Sequence, residues 1–194
     1  RVHKILKSLL ESAETLLSES KRRQPAANLE SLDAIFSILA KLTFKNPKNQ
    51  AFFLQQKGKS LASELLSAPL PACPCLTNHI LAILINCAST PDLAIDIWTS
   101  ELYETILSLS LKALQSIPSA SSPETEPLSL RQPTLWLKLL SNLSANSEET
   151  MLSIFSNESL VDLSVSILLG LTSPANLPNT SPEKLQFASA ILDF

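Results

Sequence analysis

The sequence predicts an all-α protein built from repeating helical units, and three observations support that prediction. Apolar residues recur at spacings of three and four through most of the chain, which is the period of an amphipathic helix. Leucine, isoleucine and alanine dominate the apolar residues, which make up 45 % of the chain. Gly58 and Gly170 are the only glycines, too few for a hairpin-rich β fold or a phosphate-binding loop.

The apolar spacing predicts individual helices along the chain. Two long helices are expected over about 2–19 and 28–43, and two short ones over about 47–56 and 91–98. A longer amphipathic helix follows each short one. Segments rich in proline and serine predict loops at 21–27, 69–75, 117–127 and 173–182.

Three segments resemble one another and indicate an internal repeat. In each, a long apolar helix ends in small residues, crosses a polar turn and enters a short helix. Aligning Lys41, Asn86 and Asn142 gives intervals of 45 and 56 residues. The longer interval contains the polar insertion 117–127, and its removal restores a period of about 40–47 residues, typical of helical repeats. The alignment also predicts three equivalent core leucines: Leu39, Leu84 and Leu140.

The residues around these junctions resemble the armadillo and HEAT repeat family. Leu140-Ser-Asn-Leu-Ser-Ala-Asn and Leu42-Thr-Phe-Lys-Asn-Pro-Lys-Asn-Gln are similar to the family's third helix running into the next first helix. Lys57-Gly58-Lys59 is similar to its glycine-containing turn before the second helix. The resemblance implies a right-handed α-solenoid in one domain, 1–194, expected to be a fragment of a longer chain. Its expected parts are a partial repeat 1–43, repeats 44–88 and 89–145, the latter with the flexible insertion 117–127, and repeat 146–194.

In armadillo solenoids the third helices line a concave groove, so the resemblance implies that this groove binds a protein or peptide segment. Polar residues on otherwise apolar helices must face water or a ligand. The predicted partner-binding groove residues are Lys41, His79, Asn86, Arg131, Lys138 and Asn142. Asparagines would bond the partner's backbone, and the basic residues would favour acidic side chains. Two alternatives remain: a merely solvated groove, or a structural spacer that makes contacts through convex or end surfaces.

Catalytic and metal-binding patterns are weak, which favours a non-enzymatic protein without a cofactor. The histidines, His3 and His79, lie in different predicted repeats, so neither has an evident nucleophile to activate. A zinc site would need Cys73, Cys75, His79 and Cys87 around one ion. Cys87 follows His79 by eight helical residues, about 12 Å, so one rigid helix cannot place both on the same zinc ion.

Charge and cysteine usage restrict the partners and the compartment. The net charge of −3 disfavours nucleic acid and acidic membranes. An odd number of cysteines favours an intracellular protein, cytoplasmic or nuclear, although the glycosylation triplets at Asn142, Asn157 and Asn179 would suit secretion. Ser122, followed by proline in the insertion, is the candidate phosphorylation site. The sequence carries no signal for an oligomeric state.

Overall fold

The computed structural model describes residues 2–20, 25–68, 73–117, 130–172 and 182–192. These residues form α-helices joined by short turns, with no β-strand among them, which confirms the all-α prediction. The helices are α1 (Val2–Ser20), α2 (Pro25–Thr43), α3 (Pro47–Phe53), α4 (Lys59–Ser67), α5 (Pro74–Ala88), α6 (Pro91–Trp98), α7 (Leu102–Gln115), α8 (Arg131–Ala145), α9 (Glu148–Phe155), α10 (Glu158–Thr172) and α11 (Pro182–Leu192). A π-helical turn, Leu54–Gly58, joins α3 to α4.

Proline determines where several of these helices begin. Proline suits the first turn of a helix because the backbone N–H group that it lacks has no partner there in any case. For this reason α2 and α5 begin inside two of the predicted loops, 21–27 and 69–75, which were predicted too long. Ser122 and nearly all of the loops 117–127 and 173–182 lie outside the described residues. The described helices that begin at proline are α2, α3, α5, α6 and α11.

The chain forms two compact units, Arg1–Thr105 and Ile106–Phe194, and the boundary falls within α7. In the first unit, α2 packs beside α1 and α5, and the short helix α3 contacts all three. In the second unit, α8 packs beside α9 and α11, and α10 contacts α9 and α11. Each unit therefore places two of the long helices that end predicted repeats next to each other.

The three leucines predicted to be equivalent are all fully buried. Leu39 lies in α2, Leu84 in α5 and Leu140 in α8, and none exposes any surface. This confirms their predicted place in the core. Each unit also buries large aromatic side chains, including Phe36 and Phe53 in the first and Trp136 and Phe187 in the second.

The turn between α3 and α4 requires glycine at position 58. The helix is broken at Gln56, whose backbone angles are φ −84° and ψ −151°. A Cβ atom on Gly58 would overlap the backbone carbonyl oxygen and the ring of Phe53, which is itself fully buried. The close approach of these two segments therefore depends on the missing side chain.

No single helix in the described ranges is long and apolar enough to cross a membrane. Residues Glu148–Phe155 and Glu158–Leu169 reach the required length and composition only when taken together. The two segments are bent by 75° at the turn that joins them. Their buried residues include Ile154 and Leu160.

Candidate functional site

Polar side chains of α8 and α11 line a common cavity of about 620 Å³ in the second unit. On each helix the lining residues are spaced by one, three or four positions, so they share one helical face. Arg131 extends this face of α8 toward the start of the helix and is exposed. The lining residues are Thr134, Lys138, Ser141, Asn142, Gln186, Ser189 and Ala190.

Burial of the apolar sides of both helices orients these polar residues. Trp136, Leu140 and Leu143 of α8 are at most 2 % exposed, and Phe187 of α11 is fully buried. Removing such side chains from water contributes roughly 1.5–3 kcal/mol each, which fixes the rotation of each helix about its axis. The polar residues are therefore held toward the cavity by packing on the other sides of α8 and α11.

The cavity carries positive charge. Lys138 is exposed and is the one charged side chain among the described residues that line it. Helix α8 contains Arg131 in addition and no acidic residue at all. A carboxylate entering the cavity would therefore meet a lysine without a competing acid on the same helix.

Hydrogen bonds hold the backbone of α8 at both ends of the cavity. The Thr134 hydroxyl donates to the carbonyl oxygen of Leu130 at 2.7 Å. The Asn146 side-chain amide donates to the carbonyl oxygen of Asn142, also at 2.7 Å. The lining hydroxyl and amide groups include both donors and acceptors, which suits the recognition of a peptide backbone.

In the first unit, two of the predicted groove residues hold α5 against α2. His79 Nδ1 lies 2.9 Å from Asp33 Oδ1. The side-chain nitrogen of Asn86 donates to the carbonyl oxygen of Ala40 and to the hydroxyl oxygen of Thr43, both at 3.3 Å. A partner bonding to the Asn86 nitrogen would therefore have to displace contacts within the protein.

The remaining predicted groove residue of this unit, Lys41, lies in the last turn of α2 and is exposed. The helix dipole stabilises a cation at this position, so the presence of a lysine there can be explained without a partner protein. The structure thus groups Arg131, Lys138 and Asn142 on one face of α8. It places His79 and Asn86 on α5, bonded to α2.

A buried polar network at the C-terminal end of α2 was not predicted from the sequence. The last carbonyl groups of a helix have no intrahelical donor. The Asn49 side chain donates to the Leu42 carbonyl oxygen at 2.7 Å, and the Gln50 side chain donates to that of Thr43 at 2.9 Å. The Thr90 hydroxyl donates in turn to the Gln50 side-chain oxygen at 3.1 Å.

The sequence feature that could have predicted this network is the turn before α3. Lys45 has a positive φ of 50°, the left-handed geometry that commonly ends a helix. The side-chain oxygen of Asn46 then accepts a hydrogen bond from the Asn49 backbone N–H at 3.2 Å, and Pro47 begins α3. An asparagine cap followed by proline sets the start of α3, and that start turns Asn49 and Gln50 back toward α2.

The cysteines do not form a reactive or metal-binding cluster in the described parts of the chain. Cys75 is exposed, Cys73 is partly exposed and Cys87 is buried, and all three are free thiols. Burial, aided by the negative charge of Asp96, raises the pKa of the Cys87 thiol to about 12. No group of three histidine, cysteine or acidic side chains there could hold a metal ion.

Comparison of the chain with protein-family models, with curated proteins and with solved structures finds no match. The fold and the cavity define the class: an all-helical protein with a polar, positively charged cavity between two neighbouring helices. The function is therefore inferred from the residues of that cavity.

Proposed function

We propose that the protein is a non-enzymatic scaffold of armadillo-like helical repeats that binds a segment of a partner protein between α8 and α11. The observation that carries this proposal is the cavity itself. It brings Lys138 and Asn142, both predicted from the sequence, together with four other polar residues and Ala190. Several convergent polar groups in one concave site are the usual mark of ligand recognition.

The order and packing of the helices support the repeat architecture. Each of the short helices α3, α6 and α9 is followed by two longer ones in the described chain. The long helices that end successive predicted repeats are neighbours within each unit. A single repeat of this size cannot bury its apolar faces alone, so stacking of neighbouring repeats would supply the core.

The chemistry of the lining supports an extended, acidic peptide as the ligand. Lys138 would pair with a carboxylate, and the Asn142 side chain would bond the peptide backbone. A volume of about 620 Å³ lies within the usual range for ligand sites. Hydroxyl, amide, ammonium and methyl groups form the described lining, so Lys138 has no carboxylate or imidazole beside it there with which to form an acid–base pair.

The alternative, a structural spacer, is supported by the first unit. There His79 and Asn86 bond to α2, so the corresponding surface stabilises the stacking of α5 on α2. The two functions can be separated by testing whether Lys138 and Lys41 differ in their effect on binding.

A phage-displayed library of extended peptides, selected on the complete chain, tests the proposal. We expect enrichment of acidic peptides that bind wild type and lose at least about tenfold in affinity for Lys138→Glu. Lys41→Glu is the matched control, since it reverses an exposed lysine of the predicted groove that does not line the cavity. Equal binding of the selected peptides to wild type and Lys138→Glu would contradict the proposal and favour the spacer.

A further inference from the structure

Helix α9 exposes three large apolar side chains on one face. Met151, Leu152 and Phe155 are separated by one, three and four positions, so they lie side by side on the helix. Leu152 is 60 % exposed and Phe155 is 48 % exposed. The other side of the helix carries the buried residue Ile154, and α9 packs there within the unit.

This exposure distinguishes α9 from the other short helices. Ile95 is the one large apolar residue of α6 that is comparably exposed, and among the described residues of α3 there is none. Exposed apolar residues that occur singly need no explanation, but three contiguous ones on one helix face mark an interaction surface.

Acidic residues border this apolar face. Glu148 precedes Met151 by three positions and Leu152 by four, so it belongs to the same face, and Glu149 stands beside it. Helix α10 adds two further exposed acids, Glu158 and Asp162. Neither α9 nor α10 contains lysine, arginine or histidine.

We infer that the α9 face, defined by Glu148, Met151, Leu152 and Phe155, is a docking site for a basic amphipathic helix of a partner protein. The apolar stripe of such a helix, with residues at positions i, i+3 or i+4 and i+7, covers the three exposed side chains. Lysine or arginine beside that stripe pairs with the acids of α9 and α10. The charges guide association and select the partner, while burial of the apolar surface provides affinity.

The charge of the α9 face argues against the other occupants. Anionic lipid surfaces attract basic segments, but every charged residue of α9 and α10 is acidic. Such a membrane surface would therefore repel this face. A second copy of the chain would bring the same acids and a net charge of −3 to the contact. The site is also separate from the cavity between α8 and α11, because it lies on a different helix and has the opposite charge.

Two synthetic helical peptides of about 18 residues, long enough to form isolated helices, test this inference. Both carry the same leucine stripe, with lysines beside it in one peptide and glutamates in the other. Fluorescence anisotropy with the complete 194-residue chain should show the lysine peptide binding at least about tenfold more tightly, and salt should reduce the difference. The double variant L152S/F155S should weaken that binding by about tenfold or more.

Two control variants show whether the effect is confined to the α9 face. Leu169→Ser replaces an equally exposed leucine on α10, about 16 Å along that helix from Glu158, and should leave binding unchanged. Lys138→Glu should also leave it unchanged, because it alters only the cavity. Circular dichroism establishes that each variant remains helical.

Each contrary outcome overturns the inference. Equal affinity for the two peptides would show that charge does not select the partner, and normal binding by L152S/F155S would place the site elsewhere. Sedimentation that shows a dimer of wild type, lost in L152S/F155S, would identify a second copy of the chain as the occupant. Binding to phosphatidylcholine vesicles that is lost in the same variant would identify a membrane instead.

Discussion

The side-chain nitrogen of Gln50 donates a hydrogen bond to the backbone carbonyl oxygen of Thr43 at 2.9 Å, and both residues are buried. Thr43 ends α2, so its carbonyl group has no donor within that helix. The oxygen of the same Gln50 side chain accepts from the hydroxyl of Thr90, directly before α6. One glutamine therefore joins the end of α2 to α3 and to the start of α6.

Replacing this glutamine should destabilise the protein. Gln50→Met keeps the length of the side chain but removes its hydrogen bonds to Thr43 and Thr90. The Thr43 carbonyl oxygen keeps only the Asn46 backbone N–H as a donor, so the expected loss is about 0.5–1.5 kcal/mol. Urea unfolding measures the loss. Gln55→Met is the control, since that residue is exposed and its change should stay within about 0.5 kcal/mol. Equal stability of Gln50→Met and wild type would show that the network does not stabilise the fold.

The buried leucines should contribute comparably to stability. Leu39→Ala, Leu84→Ala and Leu140→Ala each remove a fully buried side chain and leave a cavity, at a cost of about 2–5 kcal/mol. Chemical denaturation of each variant checks this. Leu152→Ala, at an exposed position, should change the unfolding free energy by less than about 0.5 kcal/mol. Losses below about 1 kcal/mol at two core positions would be incompatible with the packing described.

Gly58→Ala should be destabilising although alanine is the better helix former. The added Cβ atom would meet the carbonyl oxygen of Phe53, so the backbone of the π-helical turn must shift, at a cost of about 1–3 kcal/mol. Thermal unfolding is a sufficient measurement. Ser67→Ala, at the exposed last residue of α4, provides the control. A Gly58→Ala protein as stable as wild type would mean that this turn adapts freely.

Stability should fall in alkali because of Cys87. The thiol has a pKa of about 12 in the fold against its ordinary 9.0, so between these values the folded state binds more protons than the unfolded state. The free energy of unfolding therefore decreases as pH rises through this window, by at most about 1.4 kcal/mol per pH unit, and is unaffected by this group below 9.0.

Urea unfolding below and above pH 9.0 checks this, with Cys87→Ala as the comparison. Alanine lowers stability at every pH because it leaves a cavity, but it should remove this part of the pH slope. Iodoacetamide at neutral pH should modify the exposed Cys75 and spare Cys87, because the thiolate is the nucleophile. Rapid modification of Cys87 in the folded chain would disprove the buried, neutral thiol.

The sequence by itself determined the helices and much of the core. Helical period decides which residues share a face, and that is a local property, so Leu39, Leu84 and Leu140 could be placed inside without knowing what covers them. Proline marked the ends of segments, but whether it closes a loop or opens a helix depends on the following residues. The predicted loops 21–27 and 69–75 were too long for that reason.

Only the tertiary structure decided what the aligned polar residues do. Asn86 and Asn142 hold equivalent places in the predicted repeat, and nothing local separates them. Helix α2 offers Asn86 a carbonyl oxygen and a hydroxyl group, so its amide nitrogen bonds within the first unit. Asn142 lines the cavity together with residues of α11. The surroundings of each asparagine therefore depend on the groups that the neighbouring helix presents, and no local pattern in the sequence records those groups.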